Sequence, residues 1–102
     1  MLHENGALDA TLAAAAGEDP ALLAELRAAF LESLDRQVDL LGRARCDGNW
    51  NIAAMRLRGL GASFYAGELI ELAEEALVSV PGDPAILRKL EAHRAEFSST
   101  LG

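Results

Sequence analysis

The sequence predicts an all-α chain, an antiparallel up-and-down four-helix bundle with an additional short N-terminal helix. Three observations carry that expectation. No stretch alternates apolar and polar residues with the period of two expected of a half-buried strand. Apolar residues instead recur at spacings of three and four, as in Leu23, Leu26, Phe30, Leu34, Val38 and Leu41. Short runs of helix-stopping and helix-starting residues separate such stripes, and short connections between long amphipathic helices favour antiparallel neighbours. Composition agrees: the chain is 51% hydrophobic with one Trp, one Tyr and three Phe, so its core must be built largely from Ala and Leu.

The elements follow in order. Asp9 can cap a short helix from Ala10 to about Ala16, which Gly17 ends. Asp19-Pro20 starts the second helix, because proline at the first helical position lacks only an N–H that would have no partner there. Its stripe continues to about Arg45. Asp47-Gly48-Asn49 reads as a turn in which Asn49 caps a third helix, about Trp50 to Phe64, with a break near Tyr65-Ala66-Gly67. The fourth helix carries Leu69, Ile70, Ala73, Ala76, Leu77 and Val80 inward, with Glu68, Glu71, Glu74 and Glu75 outward. Pro81-Gly82-Asp83-Pro84 ends it and starts the last, whose stripe is Ile86, Leu90, His93, Phe97 and Leu101. At 102 residues the chain is long enough for one core. Residues 1–7 are expected to be disordered and 8–102 to form the single domain.

Charge and cysteine usage narrow the function. A net charge of −7 argues against nucleic-acid binding, which needs clustered cations to neutralise phosphates. No segment approaches the roughly 18 apolar residues of a membrane span, and no basic stretch leads into an apolar one at the N-terminus. The expectation is a soluble cytoplasmic protein. Cys46, the sole cysteine, can form neither an intramolecular disulfide nor a thiolate zinc site. No Ser-His-Asp set, phosphate-binding loop, dinucleotide fingerprint or His-Glu-x-x-His motif is present, so neither a cofactor nor a metal is expected.

The third helix holds the most informative position. Projected at roughly 100° per residue, Ala53, Leu57, Leu60 and Phe64 gather on one side. Met55, Arg58, Gly59 and Ala62 lie nearly opposite. A thioether is thus turned toward water among glycine, alanine and arginine. Arg43, Arg45, Arg56 and Arg58 make this region locally basic within an acidic chain.

The run Met55-Arg56-Leu57-Arg58-Gly59, followed by Ala62, Ala66 and Leu69, resembles the His-x-Leu-Lys-Gly signature of histidine-containing phosphotransfer (HPt) domains. The resemblance covers about Leu8 to Leu101. Such domains relay a phosphoryl group between receiver aspartates through one exposed histidine, and here Met55 occupies that position. An imidazole nitrogen can take up a phosphoryl group near neutral pH, whereas a thioether forms no stable adduct by this route. Arg58 stands for the usual lysine and keeps its charge, and Tyr65 stands where the family usually has glycine. The resemblance implies a phosphorelay protein that has lost phosphotransfer. It would dock a response-regulator receiver domain or a histidine kinase through Met55, Arg56, Arg58, Gly59, Ala62 and Ser63. Two other readings stand beside it. One is an active phosphotransfer protein using His93 or His3, although neither lies in a Leu-Lys-Gly context. The other is a structural helical bundle that self-associates, for instance as a homodimer through the Met55 face.

Overall fold

The computed structural model describes the backbone of residues 4–101 and the side chains of 8–98. Within that span there are five helices and no strand: α1 Glu4–Ala16, α2 Pro20–Arg43, α3 Asp47–Ser63, α4 Gly67–Leu77 and α5 Pro84–Leu101. Helix α2 packs on α3 and α5, α3 packs on α4, and α4 packs on α5, so these contacts close a ring. Helix α1 lies against α2. No described helix is long and apolar enough to cross a membrane.

Several starts and stops differ from expectation. Helix α1 begins at Glu4 rather than Ala10, so residues 4–7 of the segment expected to be disordered are helical, and 1–3 lie outside the described residues. Asp9 is therefore no cap; it pairs with Arg27 of α2 at 3.0 Å and joins the two helices. Asp19 does cap α2, its carboxylate accepting from the amides of Ala21 at 3.0 Å and Leu22 at 3.2 Å. That helix stops at Arg43 rather than Arg45, and Arg45 turns back to donate to the carbonyls of Gly42 and Arg43. Helix α3 begins three residues early. Cys46, not Asn49, is its N-cap, and Asp47 places negative charge in the first turn, where the helix dipole favours it.

The two turns around α4 fix how it meets its neighbours. After α3, the amide of Ala66 donates to Gly61 O at 2.8 Å and that of Tyr65 to Ala62 O at 3.4 Å. This is a Schellman ending, with Tyr65 at φ 56° in the left-handed position that glycine ordinarily fills. At the other end α4 stops at Leu77, so Val80 is exposed rather than inward as expected. The cause is Pro81, which disfavours helical backbone at the residue before it. Ser79 closes the last turn instead, its hydroxyl donating to Glu75 O at 2.8 Å and its amide to Ala76 O at 3.0 Å.

Among the described residues the core follows the stripes read from sequence, apart from Val80; the side chain of Leu101 lies outside them. Phe30, Leu34, Val38 and Leu41 of α2 meet Trp50, Ala53, Ala54 and Leu57 of α3, Leu69, Ala73 and Ala76 of α4, and Ile86, Leu90 and Phe97 of α5. Phe30 joins the layers, its ring centroid 5.1 Å from that of Phe64, edge-on, and 5.0 Å from that of Phe97. His93 is only 6% exposed, with the Glu68 carboxylate 3.7 Å from its Nδ1. On the surface Arg94 pairs with Glu91 one turn back in α5 and reaches across to Asp35 of α2. The hydrogen bond that its guanidinium donates to Glu91 is the chief cause holding its pKa above the ordinary value.

Candidate functional site

Helix α3 is locked in rotation by its buried side. Trp50, Ala53, Ala54, Leu57 and Gly61 all point inward. Trp50 adds a directional tie, its indole Nε1 donating to Ala76 O at 2.7 Å and binding the start of α3 to the end of α4. Gly61 brings the other ends together. A Cβ there would lie 2.9 Å from Ile70 Cγ1 and 3.2 Å from both Ala66 O and Ile70 N, so only glycine allows this approach. With both ends of α3 held, its opposite face is committed to solvent.

Met55 lies in the middle of that face and is 52% exposed. Gly59, one turn on, is open, with nothing within 4 Å of where a Cβ would stand. Ala62 and Ser63 are also exposed, and the Ser63 hydroxyl folds back onto Gly59 O at 2.9 Å. The surface past Met55 is therefore low over two turns. Arg56 is exposed on one flank and Arg58 half-buried on the other, and neither makes an ion pair among the described residues. All six residues singled out from sequence thus lie on α3, four along the outer face and two arginines at its margins.

The surface extends further than the sequence suggested. Between the end of α2 and the start of α3 runs a groove of about 290 Å³, lined by Leu40, Arg43, Ala44, Asn49, Ile52, Ala53 and Arg56. Leu40 and Ile52 are exposed apolar residues there. Both break the core stripe of their own helix, a signal that was present in the sequence. Arg43 is paired with Asp39 at 3.1 Å, so Arg56 is the cation of the groove lining without an ion pair among the described residues.

Chemically, this face offers apolar contact, positive charge and the Ser63 hydroxyl, and no histidine among the described residues lies on it. His93 is buried in α5, and His3 lies outside the described residues. Cys46 is exposed at the α3 N-terminus. Among the described residues no three His, Cys, Asp or Glu side chains gather as metal ligands. Comparison of the chain with protein-family models, with curated proteins and with solved structures gave no match.

Proposed function

We propose that this chain is an HPt-like docking module of a two-component phosphorelay that binds a receiver domain or a histidine kinase without carrying phosphate. In this reading α2 to α5 form the antiparallel up-and-down four-helix bundle and α1 closes one end. The module works by occupancy, either excluding a true phosphotransfer domain or holding a receiver in one state. Its site of action is the cytoplasm, where such partners reside. The observation that carries the reading is the half-exposed thioether of Met55 at the centre of an outer helix face kept low by Gly59 and Ala62.

The chemistry is consistent on each point. Methionine is an adaptable apolar anchor for a protein partner, and small neighbours let a second backbone approach it. Arg56 and Arg58 flank it with positive charge that suits the acidic phosphorylation pocket of a receiver. That attraction speeds encounter and weakens as salt rises. Burial of His93 removes it from the reach of a second domain, which weighs against phosphotransfer through α5.

Titrating the chain against a panel of purified receiver domains tests docking. Met55→Glu and Gly59→Arg are expected to raise the Kd of the receiver that binds at least tenfold, about 1.4 kcal/mol. Far-UV circular dichroism should be unchanged, because both positions are exposed. Receiver binding that survives both substitutions would remove this face from the account.

A further inference from the structure

Two exposed apolar patches share one end of the molecule, and their charges are opposite. One is the groove, where Leu40 and Ile52 lie beside Arg43 and Arg56. The other follows α4: Val78 and Val80 are 86% and 68% exposed. Glu74 and Glu71 lie one and two turns before Val78 on the same side of the chain, and neither makes an ion pair among the described residues. The Trp50 to Ala76 hydrogen bond places the start of α3 against the end of α4, which puts both patches at that end. The groove is on the α2 side of α3 and the valines are on the α4 side. They are therefore separated by one to two helix spacings, roughly 10–20 Å.

We propose that a second copy of this chain covers both patches in a reciprocal end-to-end dimer. Val78 and Val80 of each protomer lie against its partner's groove, bringing Glu71 and Glu74 toward Arg56. Shape and charge both point to a second copy, because the apolar knob with its carboxylates and the apolar groove with its arginines occur on one chain. Their shared end decides the symmetry. Complementary patches at opposite ends would generate an open filament, whereas adjacent patches at one end close about a twofold axis with each contact made twice. Each patch presents only two exposed large apolar side chains, so the dimer is weak and exchanges readily. This inference does not rest on the docking reading. The shared Arg56 does make dimerisation and partner binding compete.

Analytical ultracentrifugation of the full chain from about 10 μM to 1 mM tests the proposal. The wild-type protein is expected to shift from monomer to dimer mass across that range, several-fold less readily at high salt than at low. Arg56→Glu and Glu74→Arg should each raise the dimer Kd at least tenfold, since each substitution enters the interface twice. An equimolar mixture of the two variants should recover a heterodimer, because each reversed patch then meets its complement. Val78→Ser weakens the dimer without altering charge. Trp50 fluorescence verifies that every variant is folded. A wild-type monomer at 1 mM, a dimer indifferent to both charge reversals, or a mixture that stays monomeric would each overturn the proposal.

Discussion

Gly59 and Gly61 are two residues apart on one helix, yet alanine should have opposite effects at them. In a helix interior alanine is favoured over glycine by about 1 kcal/mol through backbone entropy. At Gly59 that term acts alone, because nothing lies within 4 Å of the added carbon. Gly59→Ala should therefore stabilise the protein by about 0.5–1 kcal/mol. At Gly61 the new carbon meets Ile70 Cγ1 at 2.9 Å, and Ala66 O and Ile70 N at 3.2 Å. The isoleucine can turn aside, but the two backbone atoms belong to the first turn of α4, where Ile70 N donates to Ala66 O at 3.0 Å. Overpacking of this kind typically costs about 1–3 kcal/mol, which outweighs the propensity gain and leaves Gly61→Ala destabilised by roughly 1 kcal/mol. Trp50, the sole tryptophan and fully buried, reports unfolding directly by its emission. Urea titration followed at that signal should separate the two variants by about 2 kcal/mol, with unchanged m values. Equal stabilisation by both substitutions would mean that α3 and α4 do not approach as described, and the rotation assigned to Met55 would lose its support.

Two further substitutions test the elements that orient α3. Trp50→Phe removes the indole donor to Ala76 O and leaves a void beneath it, so a loss of about 2 kcal/mol is expected in denaturation followed by far-UV circular dichroism. Unaltered stability would show that this tie contributes nothing to the junction of α3 and α4. Tyr65→Gly relieves a left-handed residue whose side chain is almost entirely in solvent, and should raise stability by about 0.5–1 kcal/mol, or several degrees in Tm. A lower Tm would instead assign the tyrosine ring a packing role.

The helices themselves were legible because their signals are local. The Asp19-Pro20 start, the Phe30 to Leu41 stripe and the glycine at position 17 each act within one or two turns, and each appears as read. One error fell where a tertiary contact overrides a local preference, and two where a neighbouring local signal outweighed the one that was read. Asp9 looked like a cap because aspartate so often is one, but Arg27 of the next helix engages it and the helix runs on to Glu4. Asn49 looked like a cap for the same reason, although α3 was already under way at Asp47. Val80 fitted the periodicity of α4, and only the effect of Pro81 on the preceding backbone removed it from the core. The outward face of α3 was readable from Ala53, Leu57 and Met55 together, since a helix that buries one side must expose the other. The groove was not, because it exists only where the end of α2 lies against the start of α3. Periodicity within one helix carries no information about what stands beside it.

The central claim is that this fold presents a surface able to hold a phosphorelay partner but unable to accept its phosphate. The most direct test is incubation of the chain with a phosphorylated receiver domain, alongside the Met55→His variant. The account predicts no acid-labile phosphate on the wild-type chain and measurable label on Met55→His, because only the imidazole is missing from an otherwise open helix face. Acid-labile phosphate on the wild-type chain that disappears when His93 is replaced would contradict it.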